Sequence, residues 1–301
     1  MMRRAMSLAL VGTLVCWTLA QESAPTFQYR FKEGQQEQYE GKIELNGNLP
    51  IPGAAGMAGS LVLNMTMFMR ADKVDESGTK VTTGLQAFEA IFNGQPFPVG
   101  LDMAKSIIPD STATVSPQGK LGGLQGGGGL MGFQLPGFDP RNMATMLVPT
   151  EIPSTPMTNG ATWEFTRAFG DGADALKVTL KARYEGMEEV NGTKYIKIIQ
   201  NFEQPIESYQ DAFYQPTTDK NNAVRITRGT MKGTMTLWFH PEDGVLYKAT
   251  IQASLDQTTE PIKKDGSEIK DFERETTQLA LNGTITRKAQ SGAAESAKTS
   301  S

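Results

Sequence analysis

Residues 61–70, Leu-Val-Leu-Asn-Met-Thr-Met-Phe-Met-Arg, decide the fold class because apolar side chains recur at every second position. Successive side chains of a β-strand point to opposite faces, so these apolar residues share one face and the polar residues share the other. The same alternation recurs in residues 176–184, 231–239 and 245–255. Strands with one dry and one wet face are typical of antiparallel sheets. The dry face of the first strand consists of Leu61, Leu63, Met65, Met67 and Met69.

Turn chemistry separates these strands at the spacing of hairpins. Asn191-Gly192 suits a two-residue turn with positive φ, and Pro241-Glu-Asp-Gly244 suits a type I turn that is closed by glycine. Long amphipathic strands in succession predict an all-β fold with minor α content, an antiparallel meander that curls into a half-barrel or clam. About ten strands are predicted, near residues 26–32, 36–46, 59–74, 79–93, 112–116, 161–169, 174–187, 193–203, 222–240, 245–258 and 269–286.

One short helix is predicted inside a glycine- and proline-rich insertion at residues 117–158. Asp139-Pro140 supplies an N-cap followed by a first-turn proline, residues 142–148 have helical apolar spacing, and Pro149 ends the pattern. We interpret the insertion as either a linker or a lid. It divides a single β domain, residues 21–287, into two strand groups at residues 21–116 and 159–287. A polar, disordered tail is expected at residues 288–301.

Residues 1–20 have the features of a secretory signal peptide. Their start is positively charged, residues 8–19 carry no charge, and Ala20 is a small residue at the expected cleavage site, which places the mature start at Gln21. The uncharged run of 16 residues is shorter than a membrane-spanning helix requires, although a retained anchor is the alternative. Cleavage would remove Cys16, the single cysteine. We therefore expect an exported protein, periplasmic or extracellular, with no transmembrane segment after signal removal.

The composition of the 301 residues, 39% hydrophobic and 21% charged, is that of an ordinary globular domain. A net charge of −4 argues against nucleic acid as a partner, because neutralising phosphates requires clustered Lys and Arg. The single histidine, His240, lies beside a predicted turn and is interpreted as a solvated residue. With one His and one Cys, the sequence predicts no metal site, no cofactor and no activated nucleophile, and hence no enzymatic activity.

The methionines indicate an apolar binding face. Methionine packs adaptably against irregular apolar ligands, and large apolar residues in the insertion must cover either a sheet face or the mouth of a ligand cavity. The alternative interpretation of the same residues is ordinary core filling. The ten candidate ligand-binding residues are Met65, Met67, Met69, Leu130, Met131, Phe133, Phe138, Met143, Met146 and Met235.

Two functional hypotheses follow from these features. The first is an exported, non-enzymatic protein that holds a lipid or other apolar ligand on a concave sheet face beneath residues 122–148. The second is a structural or interaction module of the bacterial envelope, with an envelope component as its partner and its sheet filled by its own side chains. Ligand in the first case, and packed core in the second, would occupy the same methionine-rich face.

Two segments resemble paired segments of a family of uncharacterised bacterial secreted all-β proteins, a domain of unknown function. Residues 27–34, Phe-Gln-Tyr-Arg-Phe-Lys-Glu-Gly, are followed by Tyr39 and match a Tyr-x-Phe-x-x-Gly start. Residues 156–163, Pro-Met-Thr-Asn-Gly-Ala-Thr-Trp, match a Pro-x-x-x-Gly-x-x-Trp strand beginning. The resemblance implies a fold similar to the unclosed β-barrels of periplasmic lipoprotein carriers and related lipid-binding proteins. Its motifs consist of turn and strand residues, so no site residue is carried over.

Overall fold

A computed structural model of the chain describes residues 27–49, 57–125, 143–169, 176–211, 216–217, 220–262 and 274–289. The predicted signal peptide and residues 290–301 of the predicted tail lie outside the described residues. The described residues form thirteen strands and two short helices. In chain order these are β1 Gln36–Leu49, β2 Met57–Asp75, β3 Gly78–Phe92, β4 Gln95–Phe97, α1 Leu101–Ile107, β5 Ser111–Val115, β6 Leu121–Gln125, α2 Ala144–Leu147, β7 Thr162–Phe169, β8 Leu176–Val190, β9 Thr193–Gln210, β10 Pro216–Thr217, β11 Arg225–Phe239, β12 Leu246–Pro261 and β13 Glu275–Arg287.

The strands form one antiparallel sheet, which confirms the predicted all-β meander. The strand order is β6-β5-β3-β2-β1-β13-β12-β11-β9-β8-β7, with β4 beside β3 and β10 beside β9. Most neighbours in the sheet are also neighbours in the chain. The pairs β3–β5 and β9–β11 each skip one short strand, and the long-range exception is the pairing of β1 with β13, in which Tyr39 lies opposite Arg287 and Gly47 opposite Leu279. This pairing joins the two predicted strand groups into a single sheet.

The sheet is unclosed, and its opening lies between β6 and β7. These two strands are the ends of the hydrogen-bonded order, and they follow each other along the chain. Pairing between them would close the meander into a cylinder, because β13 already pairs with β1. The opening therefore coincides with the glycine- and proline-rich insertion that the sequence predicts.

One face of the sheet is dry, as the alternation predicts. In β1, Tyr39, Gly41, Ile43 and Leu45 are buried, while Glu40, Lys42 and Glu44, which alternate with them, are more exposed. We refer to this side as the inner face and to the opposite side as the outer face. The register continues the inner face across strands, since Leu45 lies opposite Leu281 in β13 and opposite Leu61 in β2. Register and burial thus agree, because a one-residue slip would turn the apolar side chains outward.

The two ends of the sheet have different connections. At the turn end, tight turns join β2 to β3, β8 to β9 and β11 to β12, whereas at the loop end longer segments join β1 to β2, β9 to β11 and β12 to β13. Turns lie at both predicted positions, although the one at residues 241–244 is closed by a bond to residue 240 and so spans five residues rather than the four of a type I turn. Asn191 and Gly192 have φ of 53° and 81°, and the amide of Gly244 donates to the oxygen of His240 at 2.9 Å. Two consecutive positive φ angles match the twist of the flanking strands.

The strand predicted at residues 26–32 is wrong. Residues 27–32 run extended outside the sheet, with hydrogen bonds from Tyr29 N to Pro117 O and from Arg30 N to Asp243 O, both 2.9 Å long. The alternation in this segment is nevertheless real, because the rings of Phe27 and Tyr29 pack 5.0 Å and 5.9 Å from that of Phe239. Burial on one side produces the pattern of a strand here without any strand partner.

The predicted helix is shorter than expected. Helix α2 is one turn long, and Met143 at its N-cap makes no side-chain capping bond. Asp139-Pro140, the predicted start, lies outside the described residues. Helix α1 and strand β6 were not predicted. β6 has the sequence Leu-Gly-Gly-Leu-Gln, whose glycines have low strand propensity, and α1 is too short to show a helical period.

Glycines on the inner face allow neighbouring large side chains to lie across the strands. A Cβ atom at Gly283 of β13 would lie 2.5 Å from Ile251 Cγ2 and 2.9 Å from Ile43 Cδ1. A Cβ atom at Gly41 would lie 2.8 Å from Met67 Cε. The space that a side chain would occupy is thus filled from the adjacent strands, which gives the close packing expected of a protein core.

Candidate functional site

Six of the ten candidate ligand-binding residues lie in the described part of the chain, and all six are buried. Three belong to β2, one to β11, and two flank or belong to α2, and all are members of one hydrophobic cluster. They are at most 5% exposed, so the chain's own atoms surround them. The six are Met65, Met67, Met69, Met143, Met146 and Met235. The other four candidates, Leu130, Met131, Phe133 and Phe138, lie outside the described residues.

Residues 143–157, which we refer to as the cover segment, contact both edges of the sheet. The amide of Ile152 donates to the oxygen of Gln118, in the turn between β5 and β6, at 2.8 Å. On the opposite edge, Trp163 Nε1 of β7 donates to the oxygen of Glu151 at 2.6 Å. Helix α2 packs against β3 and β5, and each of its four residues is buried. The cover segment therefore spans the opening of the sheet and fills its interior there.

Arg167 of β7 holds the cover segment from the inner face. Its Nη1 donates to the oxygen of Val148 at 2.5 Å, and its Nη2 donates to the oxygen of Gly119 at 3.2 Å. The nearest carboxylate oxygen, Oε1 of Glu151, is 4.0 Å from Nη2. The side chain of Arg167 is only 5% exposed, so main-chain oxygens provide most of the solvation that burial removes.

Burial sets the ionisation of the groups around this arginine. Desolvation lowers the pKa of Arg167, although Tyr29 and Glu151 oppose the shift. Desolvation also raises the pKa of Glu151, with Arg167 and Lys120 acting in the opposite direction. The pKa of Tyr29 is raised for the same reason, and its hydroxyl donates to the oxygen of Thr150 at 3.2 Å. The site thus contains the buried cation of Arg167, the carboxyl group of Glu151, whose ionisation burial disfavours, and the neutral phenol of Tyr29. These groups are suited to holding the cover segment in place.

A second polar group is buried where β1 and β13 meet at the turn end. Glu37 is 1% exposed and accepts two hydrogen bonds from Arg287, from Nε at 2.6 Å and from Nη2 at 2.8 Å. Nη1 of Arg287 lies 3.4 Å from Asp243 in the turn between β11 and β12. Burial disfavours the charge of Arg287, but its bonds to Glu37 and the nearby Tyr39 and Asp243 raise its pKa. This pair fastens the junction through which the two strand groups join.

Sequence reasoning missed both of these buried charges. Arg167 follows Trp163 and Phe165 at every second position, and Glu37 precedes Tyr39 in the same manner. A charged residue at a dry-face position of an alternating strand therefore indicates a buried polar contact, and this could have been recognised in the sequence. The identity of their partners was not readable, since Gly119 and Arg287 are 48 and 250 residues away in sequence.

The inner face stays partly open to solvent at the loop end. Phe92 ends β3 opposite Leu61, Leu255 of β12 lies opposite Leu279, and Ile206 of β9 lies opposite Gly229. Phe92, Ile206 and Leu255, which we refer to as the rim residues, are half-buried and pack against the main cluster. At the turn end, by contrast, residues 27–31 and the cover segment lie against the sheet. The rim residues are thus incompletely covered, as are Phe88 of β3, Leu121 of β6, and Trp163 and Phe165 of β7.

His240 lies outside these inner-face groups. Its ring is 6.2 Å from that of Tyr195, and its Nδ1 is 3.7 Å from Oδ1 of Asp243. Its side chain is 31% exposed, so it is half-buried rather than fully solvated as the sequence interpretation had it. Within the described ranges, no three His, Cys, Asp or Glu side chains come together in a way that could hold a metal ion.

None of the helices in the described part of the chain has the length and apolar character needed to cross a membrane. No family model matches the chain, and no curated protein matches it. Among solved structures, the chain is similar to a lipovitellin chain from a study of lipid-protein interactions, with a TM-score of 0.47 and 11% sequence identity. The match covers 86% of this chain but only 26% of the lipovitellin chain, so this chain spans about a quarter of that length.

Proposed function

We propose that this chain is an exported, non-enzymatic binding protein that holds an apolar, lipid-like ligand at the loop end of its inner sheet face. The observation that carries the proposal is the half-burial of the rim residues at the end of an otherwise dry face. Apolar surface gains roughly 25 cal/mol for each Å² removed from water, so an apolar molecule seated on the rim residues would be stabilised. Ile206 and Leu255 lie on the two strands that flank β11, and apolar side chains exposed close together mark a binding site more often than scattered ones do.

The architecture supports such a site. The rim residues lie on long strands whose inner-face neighbours are packed, so the surface is largely formed before a ligand arrives. A preformed apolar surface reduces the ordering cost of binding. The turn end is occupied by the chain itself, through the cover segment and residues 27–31. Access for a ligand is therefore proposed from the loop end.

Fluorescence of the apolar dye N-phenyl-1-naphthylamine tests the site. We expect saturable binding to the wild-type protein, and we expect Leu255→Gln and Ile206→Gln each to weaken it by about tenfold, because an amide on an apolar surface loses hydration without gaining a partner. Val74→Gln is the matched control, since Val74 is also an apolar strand residue but is 40% exposed and lies at the turn end of β2. Circular dichroism verifies that each variant is folded.

Two results would contradict the proposal. Dye fluorescence that does not saturate would show that no site exists, and equal binding by the Leu255 and Val74 variants would place the dye elsewhere. Native mass spectrometry of protein purified from the producing cells, followed by organic extraction, identifies a bound molecule directly. We expect an extractable apolar compound that the Leu255→Gln protein retains in smaller amount.

A structural or interaction module of the bacterial envelope is the second candidate function. It is favoured by the burial of Met65, Met67 and Met235, which the chain's own atoms cover to 5% exposure or less. Met67→Ala separates the two roles of the face. At a packed position it costs about 2–5 kcal/mol of stability and leaves dye affinity unchanged. Dye affinity that falls with little loss of stability would instead place the ligand deep on the inner face.

Export is tested separately from ligand binding. We propose cleavage after Ala20, so the intact mass of the exported protein should correspond to a chain that begins at Gln21. A mass that includes the first 20 residues would show a retained anchor. A lipid-modified species that begins at Cys16 would contradict the proposed cleavage site.

A further inference from the structure

The outer face of the sheet contains a groove that the apolar site does not use. The groove has a volume of about 990 Å³ and crosses β8, β9, β11, β12 and β13. A second depression of about 720 Å³ adjoins it and shares Glu203, Lys232 and Ser254 with it. Both lie on the side of the sheet opposite the apolar cluster, so a ligand in this groove is independent of the proposed apolar ligand.

One row of polar side chains forms the centre of the groove. The register places Lys181 opposite Asn201, Asn201 opposite Thr234, Thr234 opposite Gln252, and Gln252 opposite Asn282. All five side chains are exposed. Because neighbouring strands are about 4.8 Å apart, a row across five strands extends over about 19 Å. Such a row presents hydrogen-bonding groups at regular intervals along an extended ligand.

The hydrogen bonds within the row leave its amides available. The hydroxyl of Thr234 donates to Oδ1 of Asn201 at 2.7 Å, which orients the Nδ2 group of Asn201 toward other acceptors. Among the described residues, Gln252 and Asn282 make no side-chain hydrogen bond. Each amide therefore offers both a carbonyl acceptor and an NH₂ donor. A sugar hydroxyl also donates and accepts, so the two sets of groups are complementary.

The charges of the groove favour a neutral ligand. Lys232 lies opposite Glu203, and Lys181 pairs with Glu164 of β7 at 3.6 Å. Arg228 and Asp256 flank the adjoining depression, so cations and anions are balanced. A polyanion such as nucleic acid requires an excess of cations. Pro205 and Ala280 are the apolar side chains that face the groove from the outer side, which is too little surface for an apolar ligand.

The groove is also unsuited to adding a peptide strand. Its strands lie in the interior of the sheet, and β9, β11, β12 and β13 each pair with a neighbour on both sides. A peptide that extends a sheet requires a free edge with unpaired main-chain groups. Recognition in this groove must therefore come from side chains.

We propose that this groove binds a neutral carbohydrate chain through the amide and hydroxyl groups of Asn201, Thr234, Gln252 and Asn282. Binding is by hydrogen bonds to successive sugar hydroxyls, with Lys232 and Glu203 at the border toward the adjoining depression. Phe202 is the one aromatic residue among the described lining residues, and its ring belongs to the buried inner cluster, so it offers no surface on which a sugar could stack. Affinity consequently depends on the amides, and removing them removes most of the binding.

The test is a titration of ¹⁵N-labelled protein with maltohexaose, cellohexaose, xylohexaose and chitohexaose, each to millimolar concentration. We expect at least one hexaose to shift the side-chain amide signals of Asn201, Gln252 and Asn282 along one saturating curve. In the double variant Gln252→Ala/Asn282→Ala we expect the dissociation constant to rise at least about tenfold, because two amides with four donors and two acceptors are lost. Both positions are exposed, so the variant retains the fold.

Gln38→Ala is the matched control. Gln38 is an exposed outer-face glutamine on β1 outside the groove, and its substitution should leave the dissociation constant unchanged. The proposal is overturned if no hexaose shifts these amides, or if the double variant binds as tightly as the wild type. A neutral Gly-Ser hexapeptide is titrated in parallel. Shifts as large as those caused by the sugars would show that the groove recognises peptide amides, which also overturns the proposal.

Discussion

Arg167 of β7 donates a hydrogen bond to the main-chain oxygen of Gly119 at 3.2 Å, so one edge of the open sheet is tied to the turn that leads into the other edge. β6 and β7 do not pair, and Arg167 together with the cover segment takes the place of the missing ladder. Side chains and a packed segment thus bridge the opening between β6 and β7, where no strand pairing closes the sheet. A closure of this kind depends on few residues, which makes it testable by single substitutions.

Arg167→Met should destabilise the protein by about 2–4 kcal/mol. The substitution keeps an apolar side chain of similar length but leaves the buried oxygens of Val148 and Gly119 without their donor, and hydrogen bonds to charged groups contribute about 1.5–3 kcal/mol each. Urea unfolding followed by tryptophan fluorescence measures the change. Arg183→Met is the control, because Arg183 pairs with Glu185 on the surface and its side chain is 56% exposed. An unchanged midpoint for Arg167→Met would show that the cover segment holds the edges without the arginine.

Glu37→Gln should cost about 3 kcal/mol of stability. The substitution removes the charge that balances Arg287 in a site where Glu37 is 1% exposed, and breaking a buried pair leaves an uncompensated charge. Glu40→Gln, on the outer face of the same strand, is the matched control. Glu40 pairs with Lys288 at 2.9 Å but is 64% exposed, so its loss should cost less than about 1 kcal/mol. Similar losses for both variants in urea unfolding would contradict the role assigned to the buried pair.

Glu151→Gln should raise the melting temperature at neutral pH. Desolvation raises the pKa of Glu151 in the folded state, so its protonated form contributes stability that is present below the ordinary Glu pKa and is lost as the pH rises through the folded-state value. Glutamine keeps the neutral form at every pH. The variant and the wild type should therefore melt alike below about pH 4, with the variant more stable above it.

Glu188→Gln is the control for the pH series of melting temperatures, because the pKa of Glu188 is shifted in the opposite direction from that of Glu151. A hydrogen bond from Lys197, at 2.5 Å, lowers the pKa of Glu188 despite partial desolvation, and Trp238 also donates to this carboxylate. The ionised form is thus stabilised by folding, and this stability is lost as the pH falls through the folded-state pKa. Glu188→Gln should be the less stable protein at neutral pH and should equal the wild type in acid. If the melting temperatures of Glu151→Gln and Glu188→Gln changed with pH in the same way relative to the wild type, the opposite pKa shifts assigned to the two residues would be contradicted.

Gly283→Ala should destabilise the protein by about 1–3 kcal/mol. The added methyl group would enter space that Ile251 and Ile43 already occupy, and overpacking of a core forces side chains or backbone to move. Gly122→Ala in β6 is the control, because its Cβ would meet no atom within 4 Å. A slight gain from reduced freedom of the unfolded chain is expected there. If Gly283→Ala were equally harmless, the inner face would contain more free space than its packing indicates.

The sequence by itself determined the long strands and the dry face of the sheet. Alternation in residues 61–70 placed Met65 and Met67 on the buried side, and Asn191-Gly192 specified its turn, because both features depend on neighbours within a few residues. The same local rule misassigned residues 26–32, since burial on one side creates alternation whether or not a strand partner is present.

Only the tertiary structure decided how the first and last strands, and the two edges of the sheet, are joined. The pairing of β1 with β13, the Glu37–Arg287 pair and the reach of Arg167 to Gly119 join residues that are far apart in sequence. The rim residues likewise carry ordinary strand patterns, and their partial exposure is visible only once the strands are packed together. Local propensity is set by adjacent residues, whereas partners and exposure are set by the sum of packing over the whole sheet, which no short stretch of sequence contains.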